Sequence, residues 1–155
     1  MDQVYLAVPA TIAALGAYLD WQFRRLPNML CLAAFAGGTG WTFALYGANA
    51  AGLAVLHAVL ALLAGMFVFS RGWIGGGDAK FYAGLAAWVP LQAAWLLILS
   101  VSLAGLLLLL AWYPFRRKLA PAGQAGAQRR DQLKLPYGVA IAVGALATIS
   151  MLRTL

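Results

Sequence analysis

The feature that most constrains the fold of this chain is a stretch from Phe81 to Phe115 without a single acidic or basic residue. As one helix this stretch would be about 52 Å long, whereas the hydrocarbon core of a bilayer is about 30 Å thick. We therefore expect two membrane helices here, with Pro90 and Gln92 marking the turn between them. The whole chain agrees, because 64% of its 155 residues are hydrophobic, 10% are charged and the mean hydropathy is +0.83. This composition indicates an integral membrane protein.

Apolar stretches recur along the chain, and most are long enough to cross a bilayer as helices. They lack the alternation of period two that is typical of a membrane β-barrel. We therefore predict an all-α, polytopic membrane protein with six transmembrane helices in a single domain over residues 1–155. The predicted helices lie at residues 3–19, 29–46, 52–70, 79–90, 91–115 and 136–152.

The basic residues predict the orientation of these helices. With six spans, three loops lie on one side, and with the adjoining helix start they carry ten of the eleven Lys and Arg residues, only Arg153 lying opposite. By the positive-inside rule that side is cytoplasmic, and both termini face outward. The longest loop, 116–135, is small, polar and basic, and we interpret it as a flexible linker against anionic lipid headgroups. The net charge of +7 is thus explained by orientation and lipid contact, and nucleic acid is not expected as a partner.

Two of the four acidic residues stand where an apolar segment meets a basic loop. A carboxylate close to hydrocarbon carries a desolvation cost that a purely structural residue rarely justifies. Asp20 and Asp78 fall on the same predicted face, which suggests an acid/base pair that activates water. The alternatives are structural: Asp20 could pair with Arg24 at i,i+4 spacing, and Asp78 could cap its helix.

Asp78 follows Gly75-Gly76-Gly77 and is predicted to begin a short helix that ends near Pro90. At about 20 Å this helix is shorter than the bilayer, so Asp78 would lie roughly 10 Å inside the hydrocarbon layer. Non-helical glycine backbone at that depth needs cover by protein or a wet cavity, which predicts a small hydrated pocket at the cytoplasmic face. The macrodipoles of their own helices would make Asp20, at a C-terminus, the acid and Asp78, at an N-terminus, the base.

Three short motifs resemble, in the same order, those of the type IV prepilin peptidases, intramembrane aspartic proteases of the GxGD class. They are Asp20 with the following basic residues and Leu26-Pro27-Asn28, then Gly75-Gly76-Gly77-Asp78-Ala79-Lys80, then Pro136-Tyr137-Gly138. The resemblance implies that Asp20 and Asp78 are catalytic. It assigns the other motif residues to the loops that a substrate approaches, namely Arg24, Arg25, Pro27, Asn28, Gly75, Gly76, Gly77, Lys80, Pro136, Tyr137 and Gly138.

The resemblance implies an endopeptidase of the bacterial cytoplasmic membrane that removes the leader from a prepilin or pseudopilin at the cytoplasmic face. Its substrate would carry a short basic leader that ends in glycine, followed by a hydrophobic helix, and no metal or cofactor would be needed. Larger members carry paired Cys-x-x-Cys motifs and methylate the new N-terminus, whereas this chain has one cysteine, Cys31. It is therefore similar to the short, peptidase-only members of tight-adherence (Flp) pilus systems, without N-methyltransferase activity.

Two other classes of function are compatible with the sequence. A small transporter or channel would bind cations with its membrane aspartates and would spread these along a path through the bilayer. A non-catalytic assembly protein of a secretion system would keep its function when both aspartates are replaced. His57, isolated in the third predicted helix, is interpreted as a residue that packs helices through a hydrogen bond.

Overall fold

The computed structural model describes residues 2–118 and 135–154. Within these ranges the chain forms five α-helices and one short 3-10 helix and contains no strand, so the predicted all-α fold is confirmed. The elements are α1 (Asp2–Phe23), α2 (Asn28–Ser70), α3 (Gly76–Ala86), the 3-10 helix (Leu91–Ala93), α4 (Ala94–Lys118) and α5 (Tyr137–Thr154). Most of the predicted loop 116–135 lies outside the described residues.

Helix α2 consists of two antiparallel halves, 28–46 and 48–70, that meet at Gly47. Gly47 has φ 81° and ψ −176°, a conformation that glycine adopts without the steric cost of a Cβ. The direction of each half follows from its contacts with α3 and the turn that follows it. The first half contributes the pairs Asn28–Lys80 and Gly38–Ala87, and the second half the pairs His57–Val89 and Gly65–Ala79. The two halves therefore correspond to the separate helices predicted at 29–46 and 52–70.

Helix α3 is the innermost helix, with Phe81 and Leu85 fully buried. It has 11 residues and starts at Gly76, so the prediction that Gly76 and Gly77 form non-helical backbone is wrong. Both glycines are packed, because an added Cβ would lie 3.4 Å from the Phe69 ring at Gly76 and 3.3 Å from the Leu26 Cβ at Gly77. Close packing around the first turn thus overrides the weak helix propensity of glycine.

The prediction that this helix continues to Pro90 is also wrong, since α3 ends at Ala86. The next residues form a turn that buried side chains hold in place. Trp88 Nε1 donates a hydrogen bond to the Ala34 carbonyl at 2.8 Å, and His57 Nδ1 lies 2.8 Å from the Val89 carbonyl oxygen. The predicted packing role of His57 is therefore confirmed.

Helix α5 packs antiparallel to both α1 and α4. Its start lies beside Asp20 at the end of α1, and Gly144 in its middle lies against Val101 of α4. A Cβ added at Gly144 would lie 2.6 Å from the Val101 nitrogen, so only glycine allows this approach of the two helices.

Two segments are long and apolar enough to cross a membrane, namely α2 and Leu91–Tyr113. A shorter apolar helix covers Tyr137–Leu152. Large apolar side chains are exposed on the outside of the bundle, among them Leu103, Leu107 and Leu110 of α4. An apolar outer surface of this extent suits lipid better than water, in agreement with a membrane protein.

The three predicted motifs meet at one end of the bundle, which we call the basic end. It comprises the residues from Asp20 to Asn28, from Arg71 to Lys80, and the facing ends of α4 and α5. Several contacts hold it together, including Gly138 with Asp20, Gly77 with Leu26, and the Arg24 guanidinium with the Trp112 ring. The fold thus gathers residues that are far apart in the sequence at one place.

Candidate active site

A cavity of about 530 Å³ lies at the basic end, and both aspartates line it. A pocket at this position agrees with the prediction. Most of the first motif and part of the second contribute to its wall. The lining residues are Asp20, Arg24, Arg25, Leu26, Pro27, Asn28, Gly75, Gly77 and Asp78.

Asp20 lies in the last turn of α1 and is only 7% exposed. Its Oδ2 accepts a hydrogen bond of 2.8 Å from the backbone N–H of Gly138, in the first turn of α5. A Cβ at Gly138 would lie 2.8 Å from the Asp20 Cβ and 2.9 Å from this oxygen, so the contact requires glycine. The third motif therefore acts on the site through one backbone N–H that orients the Asp20 carboxylate.

Asp78 is the third residue of α3, and Gly75 occupies the N-cap position. The Asp78 Oδ2 accepts a hydrogen bond of 3.2 Å from the Gly75 N–H, which is the reciprocal half of a capping box. The alternative that Asp78 itself caps the helix from the N-cap position is therefore wrong. This bond fixes the side chain at the start of α3, with the carboxylate facing the cavity that Asp20 shares.

Both carboxylates thus accept a backbone N–H from the start of a helix, Asp20 from α5 and Asp78 at α3. The expectation that helix dipoles distinguish Asp20 as the acid from Asp78 as the base considered only the helix to which each belongs. Because α5 points its N-terminus at Asp20, this dipole argument does not hold.

A close contact between α1 and α3 brings the two carboxylates to the same cavity. Gly16 lies one turn before Asp20, and the Phe81 ring, three residues after Asp78, occupies the space where a side chain at Gly16 would be. The charge of Asp20 acts on Asp78 across the cavity. The contact between Gly16 and the Phe81 ring therefore determines how closely α1 and α3, which carry the two acids, approach each other.

The first two motifs are also joined directly. The Lys80 Nζ donates a hydrogen bond of 3.0 Å to the Asn28 Oδ1, so the start of α2 is tied to α3. Gly77 packs on Leu26 in the loop between α1 and α2. Lys80 and Asn28 are exposed, and Lys80 does not line the cavity. The hydrogen bond between Lys80 and Asn28 holds in place the loop that follows Asp20, which accounts for the presence of both residues in the motifs.

Arg24 and Trp112 form a contact that sequence reasoning missed. The Arg24 guanidinium carbon lies 5.3 Å from the centroid of the Trp112 ring, and Trp21 meets the same ring edge-on at 5.4 Å. The charge of Arg24 also acts on Asp20. The sequence offers one signal for this contact. Trp112 shortly precedes the basic residues that follow α4's apolar stretch, and Trp is common at such membrane–water interfaces.

Three other predicted site residues, Gly76, Pro136 and Tyr137, do not line the cavity. Gly76 packs on the Phe69 ring, and Pro136 is fully buried. Tyr137 lines a separate apolar cleft of about 310 Å³ between α4 and α5. The third motif reaches a catalytic candidate through the Gly138 N–H, which bonds to Asp20.

Two carboxyl groups in one cavity can act as a general base and a general acid on a bound molecule. Within residues 2–118 and 135–154, no three His, Cys, Asp or Glu side chains are grouped so that they could hold a metal ion. Cys31 is buried, with its Sγ 4.0 Å from the Gly77 carbonyl oxygen.

The model of the type IV leader peptidase family matches residues 7–110, which is more than half of the chain. The matched range contains Asp20, Asp78 and the loops beside them, and it ends before α5. Neither a curated protein sequence nor a solved structure matches the chain.

Proposed function

Because the chain belongs to the type IV leader peptidase family, we propose that it is an aspartic endopeptidase that removes leader peptides from prepilin-like substrates. The observation that carries this proposal is the cavity shared by Asp20 and Asp78. A cation path through the bilayer would distribute its acids along its length, whereas both acids here line one cavity at one end of the bundle.

The proposed mechanism uses one proton shared by the two carboxyl groups. Two carboxyl groups in one site do not both ionise readily, because the two negative charges would repel each other, so one group stays protonated. The ionised group takes a proton from water, whose oxygen attacks the scissile carbonyl carbon while the protonated group donates to the carbonyl oxygen. The tetrahedral intermediate then collapses as the C–N bond breaks. The carboxyl group that took the water proton gives it to the leaving nitrogen, and one hydroxyl of the intermediate returns its proton to the other carboxylate. The products are a leader with a new carboxyl group and a mature pilin with a new α-amine.

The substrate class follows from the family and from the charge of the chain. We propose a Flp-type prepilin whose hydrophobic helix lies in the bilayer and whose leader reaches the cavity from the cytoplasm. We further propose six transmembrane segments, namely α1, the halves of α2, α3 with the following turn, α4 and α5, with the basic end at the cytoplasmic face of a bacterial inner membrane. Anionic lipid headgroups at that face would contact its Lys and Arg residues.

The decisive test is cleavage by the purified protein. We expect purified protein, incubated with a Flp-type prepilin and S-adenosylmethionine, to cut once after the leader glycine and to leave a free, unmethylated α-amine. Sequencing of the product termini locates the cut, and intact-mass analysis detects a methyl group. The Asp78→Asn protein is the control for contaminating proteases. An uncut prepilin would refute the peptidase proposal, and a product heavier by one methyl group would refute the peptidase-only assignment.

The orientation has its own test. Single cysteines at positions 124 and 154, introduced into a Cys31→Ala background, should differ in intact cells. We expect an impermeant thiol reagent to label position 154 from outside and to label position 124 only after the membrane is permeabilised, because ten of eleven basic residues then face the cytoplasm. External labelling of position 124 would place the basic end outside and contradict a cytoplasmic site.

A further inference from the structure

We propose that Arg24 binds a main-chain carbonyl oxygen of the substrate peptide, with Trp112 holding its guanidinium in place. The inference rests on the proposed function and adds to it a residue that recognises the peptide backbone beside the scissile bond. It follows from a pair of unsatisfied donors, a strained backbone and the charges already present in the cavity.

Arg24 and Trp112 each contain a buried hydrogen-bond donor that has no acceptor in the part of the chain that the structure describes. The Nη1 atom of Arg24 and the Nε1 atom of Trp112 are both buried and have no hydrogen-bond partner among the described residues. Trp112 is only 9% exposed, and its ring lies 5.3 Å from the Arg24 guanidinium carbon. Buried donors that lack acceptors carry a free-energy cost, so their presence calls for an explanation. Arg24 lines the cavity and Trp112 does not, so a molecule bound there can bring an acceptor to the Arg24 guanidinium.

The backbone at Arg24 is a second, independent observation. Arg24 has φ 52° and is the only non-glycine residue with positive φ in the described part of the chain. Its N–H bonds to the Asp20 carbonyl at 3.0 Å, which ends α1. Glycine or asparagine would occupy such a position at lower cost, so an arginine here is consistent with a role for its side chain.

The charges that line the cavity are mixed and do not mark an anion site. Arg24 already interacts with the charge of Asp20, and Asp78 lines the same cavity. Arg25 also lines the cavity, so two arginines stand beside two acids, and the described lining has no cluster of unopposed cations of the kind that binds phosphate or carboxylate. An extended peptide that leaves water must also satisfy its own carbonyl groups, and a guanidinium offers several N–H donors for that purpose.

Another arginine at the basic end provides a matched control. Arg71 stacks on the Phe67 ring at 4.8 Å, so it also forms a cation–π contact, but it does not line the cavity. Arg71→Gln removes the same charge from the same end of the bundle. Any effect of Arg24→Gln that Arg71→Gln lacks therefore reflects the position of Arg24 and not the loss of one positive charge.

The experiment is a double-mutant cycle between the protein and the substrate backbone. Wild type, Arg24→Gln, Arg24→Lys and Arg71→Gln are purified in nanodiscs of fixed lipid composition. Each is assayed with a series of prepilin peptides in which one amide at a time near the cleavage site is replaced by an alkene that lacks the carbonyl oxygen. We expect Arg24→Gln to raise KM by about 10-fold on the parent peptide, the effect of losing one hydrogen bond to a charged group. Arg71→Gln should leave KM unchanged.

The coupling between the two changes decides the proposal. At one backbone position, removal of the carbonyl should cost about 10-fold with wild type and little further with Arg24→Gln, while other positions are additive. Arg24→Lys should show part of this coupling, because it keeps the charge but loses the planar fork. Trp112→Phe should retain the coupling and Trp112→Ala should weaken it.

Additive effects at every position would overturn the proposal. If Arg24→Gln instead changes only the dependence of activity on anionic lipid content, Arg24 is a lipid contact and the proposal is wrong. If Arg24→Gln does not purify as folded protein, the cycle with Arg24→Lys decides. Failure of wild type to cut the parent peptide is a different result, which refutes the proposed function itself and this inference with it.

Discussion

Asp20→Asn and Asp78→Asn should each reduce prepilin cleavage by at least about 100-fold, because each removes one member of the proposed acid/base pair. Asparagine has almost the same shape as aspartate, and its amide oxygen can still accept the N–H that each carboxylate accepts now, from Gly138 and from Gly75. The loss should therefore appear in the rate and leave the fold intact. Initial rates together with thermal unfolding of the purified variants measure both effects.

The double variant provides the control for this prediction. If Asp20 and Asp78 act as one unit, losing both should cost little more than losing either, since groups that act together are not additive. A single variant that processes prepilin at the normal rate would rule out the paired mechanism. A loss of folded protein in both variants would show instead that the carboxylates are structural.

Gly138→Ala should reduce cleavage by about 10- to 100-fold, the range expected when a hydrogen bond to a charged group is lost. The added Cβ would lie 2.8 Å from the Asp20 Cβ, so the start of α5 must move away and the N–H that orients the carboxylate moves with it. We expect the effect mainly in kcat, because substrate binding does not require this bond. Steady-state kinetics on the purified variant measure it.

Substitutions at two other glycines distinguish the loss of this hydrogen bond from the general effects of an added methyl group. Gly40→Ala introduces a methyl group into open space and should change neither rate nor stability much. Gly144→Ala, in the same helix as Gly138, would clash with Val101, and neither residue lines the cavity. It should lower the unfolding temperature without changing the rate per folded molecule. A Gly138→Ala protein that loses only stability, as expected of Gly144→Ala, would contradict a role in orienting Asp20.

The overall fold was largely predictable, because an apolar stretch long enough to cross a bilayer predicts a helix. The turn at Gly47 also falls where two predicted helices were separated. The bounds of α3 were not predictable, because glycines normally interrupt helices and only tertiary packing reverses that preference. Phe69, in the last turn of α2, and Leu26, in the loop between α1 and α2, supply this packing at the start of α3.

The candidate site was predictable to a similar degree. Asp20 and Asp78 stand out because isolated acids next to apolar segments are costly. The hydrogen bond from Gly138 to Asp20 could not be derived, since it joins the last described helix to the first and depends on how they pack. The contact of Arg24 with Trp112 was missed for the same reason, as no local pattern links a loop residue to the distant end of α4.

The bond from Gly138 to Asp20 also bears on how the protein is made. Synthesis proceeds from α1 to α5, so a nascent chain contains both aspartates well before the residue that orients Asp20 has been translated. If the proposed function holds, such an unfinished chain has its acids but not the donor that aligns one of them. Under that function, proteolytic competence would be acquired when α5 inserts and packs against α1 and α4, which would prevent a partly synthesised peptidase from cutting neighbouring membrane proteins.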